Sequence, residues 1–360
     1  MNSTPESRPD AGKVSVVVLC RNEQKHIARC LDSLLASDYD PRLVEIIVVD
    51  GMSTDGTRQI VAEYCLKYPR IRTVDNPKKI IPAGLNAGLR EAGADVIVRI
   101  DAHAVYPPHY IGGLAGGLHR YGADCIGPLL SVDEGKTAWE RAIALIWTHP
   151  FAAGNAVHRT VARDSQPRPT RSLFPACFRR DVFERVGLFN ERLVRAEDRE
   201  FYGRVLRAGG KVLLDPSVHC TYFPRTALRN YVRYGLINGF WLYYARRFTR
   251  TRLIFWRNLV PLAFVLWHLA AICAGAIFPF LLPFLLAPIA AYWGLSALIS
   301  VQLAWTHRNA ALCPCLFVLF PLTHYPYGLG NLYGWLRAAV EGKYAPRGDP
   351  TPSPIGARTP

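Results

Sequence analysis

Three short stretches carry residue types that can do chemistry together. "VIVRIDAHAVYPP", Val96 to Pro108, ends an apolar run on Asp101 and offers His103 two positions later. A carboxylate and an imidazole at that spacing are either a ligand pair for a divalent cation or a strand end beside an ordinary histidine. "VVDGMSTDGT", Val48 to Thr57, closes a second apolar run on Asp50. That carboxylate can accept from an imide N–H, while Ser53, Thr54 and Asp55 can cap the helix that follows. In "RAEDREFYGRVLRAGG", Glu197, Asp198 and Glu200 open a helical pattern. A helix start favours carboxylates, and one of the three could accept a proton.

The elements that must position these residues are legible from hydrophobic periodicity. "VSVVVL" predicts a buried strand, "HIARCLDSLL" a helix, and "VEIIVVD" with "DGTRQIVAEYCLKY" repeats that order. The strand "IRTV", the helix "PAGLNAGLREA" and the strand "DVIVRID" follow. Near-continuous β-branched runs alternating with helices predict an α/β fold with a doubly wound, mainly parallel sheet covered on both faces. Ligands bind such sheets beyond the carboxyl ends of the strands, where "CRNE", Cys20 to Glu23, joins the other two loops. Further on, "TRSLFPACFRRDVFERVGLF" predicts an irregular strand then a helix, and "KVLLDP" a returning strand. The glycine-rich "GGLAGGL", Gly112 to Leu118, follows a Pro-Pro turn and lacks phosphate-loop spacing, so it predicts a small-residue helix face.

Charge and hydropathy divide the chain. From Asn258 to Thr306 there is no charged residue across 49 positions, and from Asn309 to Leu336 none across 28. With about 20 apolar residues per crossing, residues 258–336 suit two transmembrane helices plus a third or re-entrant segment. "PLTHYPYGLGNLYGW", rich in Pro and Gly, is the stretch that could re-enter. Eight arginines and no acid lie between Arg225 and Arg257, interleaved with aromatic residues. That pattern predicts an interfacial segment on the cytoplasmic side of a lipid bilayer and accounts for the net charge of +15 without nucleic acid. Residues 1–13 read as a disordered leader with no apolar signal, which keeps residues 14–224 cytoplasmic, and residues 337–360 as a disordered tail. None of the nine cysteines lies in a Cys-x-x-Cys spacing, so reduced, mostly buried thiols are expected.

The motifs in their order resemble the inverting glycosyltransferase family 2, with its GT-A fold. "RNE", "VVDGMSTDGT", Asn76-Pro77, "AGLNAGL" and the Asp-x-His strand end carry the likeness, which continues through "FAAGNAVHR", "FRRDVFERVGLFNE" and "RAEDREFYGRVLRAGG". The Asp-Ala-His variant, the Gly-Asn element and the apolar C-terminal half are most similar to the ExoA-like branch that acts in succinoglycan biosynthesis. Two departures stand out. The Gln-x-x-Arg-Trp motif of processive members is absent, with only Arg233 of "YVRYG" in its place, which points to transfer of a single sugar. An acidic element expected before "FRR" is replaced by "TRSLFPACFRR", which leaves the acceptor open.

The resemblance implies roles. Asp50 would bond the base of a nucleotide sugar, expected to be a UDP-hexose. The backbone from Leu19 to Arg21 would hold its uracil, and Glu23 would support that loop. Gly84 and Asn86 would line the ribose and diphosphate region. Asp101 would face ribose and metal, His103 would ligate Mn²⁺ or Mg²⁺, and Asp198 would be the catalytic base. Glu197 and Arg233 are the secondary or acceptor-side candidates. The implied enzyme is a hexosyltransferase in the inner (plasma) membrane, multi-pass, acting on a polyprenyl-linked saccharide in exopolysaccharide or cell-surface glycan biosynthesis. The alternatives are a synthase of polyprenyl-phosphate sugars and a non-catalytic sensor of nucleotide sugars.

Overall fold

The apolar runs form the strands at the predicted places. β1 (Val14–Cys20), β2 (Val44–Asp50), β3 (Ile71–Asp75) and β4 (Val96–Asp101) are joined through α1 (Ile27–Leu35), α2 (Thr57–Lys67) and α3 (Ile81–Glu91). Helix α1 buries Ile27, Cys30, Leu31 and Leu34, the single stripe expected at a 3.6-residue period. All six residues of β4 are buried, as a strand covered on both faces requires. The computed structural model describes residues 12–154, 161–163 and 165–342. Most of the leader, residues 343–360 of the tail and residues 155–159 of the "FAAGNAVHR" stretch lie outside the described residues.

After β4 come β5 (Ala104–Val105), α4 (Tyr110–Tyr121), β6 (Cys125–Val132), α5 (Ala138–Thr148) and α6 (Pro150–Ala153). Then follow β7 (Arg168–Pro169), β8 (Ala176–Arg179), α7 (Arg180–Val186), α8 (Glu197–Arg207) and β9 (Val212–Tyr222). One sheet runs in the order β3-β2-β1-β4-β8-β6-β9-β5, with β7 on β9. The first four strands are parallel; β8 then pairs antiparallel with β4 and β6, and β5 and β7 antiparallel with β9. The sheet is therefore mixed, parallel over β1 to β4 and antiparallel beyond them. "GGLAGGL" lies within α4, where a Cβ on Gly113 would stand 2.7 Å from Val218 and one on Gly117 2.7 Å from Ile126, which explains the small residues.

The chain divides into two compact units: residues up to Ser131 with those continuing to Phe223, and residues 132–154 with those from Pro224. The first has a core in which Phe178, Phe183, Phe189, Phe201 and Tyr202 pack with strand residues such as Val17, Ile47 and Ile97. All nine cysteines are free, and burial pushes the thiols of Cys20, Cys30, Cys125, Cys177 and Cys220 up, so they remain protonated.

The second unit holds α5, α6, α9 (Leu228–Tyr244), α10 (Trp256–Ile277), α11 (Leu282–Thr306) and α12 (Leu312–Val340). Among the described residues three helices are long and apolar enough to cross a membrane: α10, α12, and α11 with the short turn that precedes it. The Pro- and Gly-rich stretch is not a break, since α12 continues through Pro321 and Pro326. The basic aromatic segment forms α9, which packs along α12: Tyr231 Oη and Thr323 Oγ1 share a hydrogen bond of 2.6 Å, and Arg247 pairs with Glu341.

Candidate active site

The parallel register assembles the site. Cys20 pairs with Asp50, Leu19 with Asp101, and Asp50 with Asp75, so the three polar loops leave one edge of the sheet side by side. The loops after β1 and β2 are tied together. Asn22 N donates to Ser53 Oγ (2.9 Å), Thr54 N to Asn22 Oδ1 (2.8 Å), Glu23 N to Thr57 Oγ1 (2.8 Å) and Gly56 N to Gln24 Oε1 (3.0 Å). Of the expected helix caps only Asp55 serves α2, accepting from Thr57 N at 3.0 Å; Ser53 and Thr54 serve Asp50 and Asn22 instead. Asn22, Met52, Lys79 and Ala196, with φ of 55°, 57°, 59° and 65°, hold left-handed backbone in the loops around the site. Each such residue costs on the order of 1–3 kcal/mol and persists only where surrounding bonds hold it.

Asp50 is buried and already well bonded. Its carboxylate accepts from Ser53 N (2.9 Å) and from Arg58 Nη1 (2.8 Å), and Arg58 also meets Asp75 Oδ1 at 2.9 Å. Arg58 was not foreseen in the sequence. Leu19 contributes its carbonyl, which accepts from Ala102 N at 3.2 Å, and the exposed Arg21 reaches Lys79 O at 3.4 Å.

Two expected ligand-lining residues are used elsewhere. Asn86, 1% exposed, donates both side-chain N–H groups, to Phe189 O and Glu191 Oε1 at 2.9 Å each, and accepts from Phe189 N at 2.9 Å. It ties α3 to the segment before α8. Gly84 is likewise a packing position: a Cβ there would stand 2.9 Å from Asn76 Nδ2 and 3.2 Å from Leu19 Cδ2.

At the end of β4, Tyr106 Oη donates to Asp101 O (3.0 Å) and accepts from Asp101 N (3.1 Å), which fixes the strand end. His103 stands between two groups: Nδ1 lies 3.2 Å from Glu23 Oε1, and Nε2 2.9 Å from Tyr222 Oη. Behind them lies Arg99, whose side chain is only 4% exposed. Its Nη2 is 3.8 Å from Asp101 Oδ1 and 4.0 Å from Glu197 Oε1, and its guanidinium lies 4.9 Å from the centre of the Phe174 ring. Arg99 thus links the Asp-x-His corner to the start of α8.

The three carboxylates of α8 separate by environment. Glu197 is buried, and burial together with the neighbouring Asp198 pushes its pKa up to about 7. Glu200 is locked to Arg204 Nε at 2.9 and 3.1 Å, and Arg204 in turn donates to the carbonyls of Val186, Gly187 and Leu188. Asp198 is half-buried and accepts from Arg199 N at 2.7 Å. Of the three it is the one that is not buried and, among the described residues, has no arginine within ion-pair distance. Arg233 lies exposed on α9, in the second unit.

Similarity to known proteins follows this geometry. A glycosyl transferase family 2 model matches residues 15–187, which include Asp50, Asp101 and His103. The succinoglycan biosynthesis protein ExoA of Rhizobium meliloti is 30% identical over 257 residues, 69% of this chain and 74% of that protein. The chain belongs to glycosyltransferase family 2. As a member of that family it is a glycosyltransferase with a GT-A-like curled mixed sheet. A dolichyl N-acetyl-alpha-D-glucosaminyl phosphate 3-beta-D-2,3-diacetamido-2,3-dideoxy-beta-D-glucuronosyltransferase of Methanococcus voltae is 23% identical, over 63% of this chain and 73% of its own. Among solved structures, a mannosyltransferase of Pyrobaculum calidifontis in complex with GDP-Man and Mn²⁺ superposes with a TM-score of 0.55 at 21% identity, covering 89% of this chain and 87% of the other.

The donor set bears on a metal. Among the described residues no three His, Cys, Asp or Glu side chains gather as a metal centre. One carboxylate and one imidazole, Asp101 and His103, suit a divalent cation that takes its other ligands from a diphosphate and water.

Proposed function

We propose that this glycosyltransferase moves a single hexose from a nucleotide sugar, a UDP-sugar in the first instance, to a lipid-linked saccharide at the cytoplasmic face of a membrane, with inversion and with Mn²⁺ or Mg²⁺. The observation that carries this reading is the bridge from Asp101 through the buried Arg99 to Glu197, next to the accessible Asp198. It joins a cation and diphosphate corner to a proton acceptor. Asp198 accepts the proton of the acceptor hydroxyl as that oxygen attacks the anomeric carbon in a single displacement. Glu197 is buried and faces Arg99, whereas Asp198 is half-exposed, which favours Asp198 for that step. Asp101 and His103 would hold the cation; when bound, it offsets the charge of the departing nucleoside diphosphate. A lipid-linked acceptor is supported by the three apolar helices and by the arginine-rich α9 segment that precedes them. The ExoA relative supports a place in exopolysaccharide or other cell-surface glycan synthesis.

Asp198→Asn tests the reading. Transfer of radiolabelled hexose to membrane lipid extract is expected to fall about 10²- to 10⁴-fold, with nucleotide-sugar binding retained. Normal transfer by the variant would remove Asp198 from the chemistry.

A further inference from the structure

Glu23 and Tyr222 flank His103 in a way that neither the motif order nor the sheet topology required. The antiparallel pairing of β5 with β9 sets Ala104 opposite Tyr222, and Phe223 N donates to His103 O at 3.0 Å, so the backbone fixes Tyr222 beside the imidazole. On the other side, Glu23 is anchored by its backbone alone. Its N–H donates to Thr57 Oγ1, and its carbonyl accepts from His26 N and Ile27 N at the start of α1. Its side chain is turned to His103 Nδ1 at 3.2 Å.

An ionised carboxylate only accepts, so the proton of the neutral imidazole resides on Nδ1 and the lone pair on Nε2. Tyr222 Oη, 2.9 Å from Nε2, donates to that lone pair. The same in-plane lone pair is the one a metal ion uses. The Tyr222 ring and the imidazole meet at 68°, with centroids 4.8 Å apart.

We infer that Glu23 is a positioning residue that acts through His103, holding its Nε2 lone pair toward a divalent cation, and that the Tyr222 hydroxyl is the group the cation displaces. The inference rests on His103 being a cation ligand. A carboxylate on the far nitrogen of a ligating histidine fixes the tautomer, raises its basicity and is worth about 10- to 100-fold in metal affinity. Tyr222 opposes binding by the net strength of one hydrogen bond.

The test is titration of the full-length protein in detergent micelles with MnCl₂, alone and with UDP, following the room-temperature EPR signal of free Mn²⁺. Wild-type protein is expected to bind Mn²⁺; if it does not, the reading of His103 falls and this inference with it. Given wild-type binding, Glu23→Gln should weaken Mn²⁺ about 10- to 100-fold, with no further loss when added to His103→Ala. Tyr222→Phe should bind Mn²⁺ about two- to tenfold tighter. Unchanged affinity in Glu23→Gln, an equal loss in the His103→Ala background, or weaker binding by Tyr222→Phe would each overturn the inference. The first of these is what a protonated His103 in a plain ion pair would give.

Discussion

Between Asn22 and Thr57, backbone N–H groups of one loop meet side chains of the other at 2.8–3.2 Å, and Asp50 receives both Ser53 and Arg58. Between Arg99 and Asp198 the contacts are of another kind. A buried guanidinium stands 3.8 and 4.0 Å from two carboxylates, and its Nε has no hydrogen-bond partner among the described residues. The first region is neutral in effect, with each bond backed by another. The second buries a cation beside carboxylates in a place where water does not screen them, so its energy depends on ionisation. The contrast assigns shape to the loops and responsiveness to the interior. A rigid cradle suits recognition of a nucleotide, and a charge-coupled interior suits a step that moves a proton.

That contrast can be broken, most directly at Arg99. Arg99→Met leaves Asp101 and Glu197 buried without a cation and should destabilise the protein by about 3–5 kcal/mol, read from thermal or urea unfolding in micelles. Adding Glu197→Gln should recover part of the loss. A cost for Arg99→Met below about 1 kcal/mol would mean that the interior is not held by charge.

Next in size is the pH dependence of Glu197. Its pKa in the folded protein, about 7, lies above the ordinary 4.5, so the folded state binds more protons than the unfolded state between those values. Its contribution is therefore fully present below about 4.5 and is lost as pH rises to about 7, amounting to about 3 kcal/mol. Unfolding measured from pH 4.5 to 8 should show that decline in the wild type and its absence in Glu197→Gln.

The loop side predicts smaller effects. Asn86→Ala removes three hydrogen bonds and should destabilise by about 2 kcal/mol while leaving KM for the nucleotide sugar unchanged, which separates a structural tie from a ligand contact. Ser53→Ala should cost about 1 kcal/mol, because Arg58 still covers Asp50. A much larger loss there would show that the loops are not redundant.

Much of the first unit was readable along the chain. The runs at Val14, Val44 and Val96 predicted β1, β2 and β4 because buried parallel strands need continuous apolar residues, and the polar residues that end them marked the site edge. Asp50 and Asp101 stand at those strand ends, and Glu197 and Asp198 at the start of α8. Arg99 left a signal that went unread: an arginine inside "VIVRID" is a charge in a buried strand, and such a charge needs a partner. The antiparallel turn of the sheet after β4 was missed because β5, β7 and β8 are only two to four residues long, too short for a period to register.

What the sequence determined by itself was local: which segments bury a face, where each strand ends, and which residue types stand at those ends. Hydrophobic periodicity carries that information within a few residues. What only the tertiary structure decided was partnership. His103 meets Tyr222 119 positions away, Asn86 meets Phe189 103 positions away, and Arg99 meets Glu197 only because the strand and the start of α8 lie against each other. Those choices depend on sheet register and helix placement, which sum many weak contacts across the whole unit, so no short stretch encodes them.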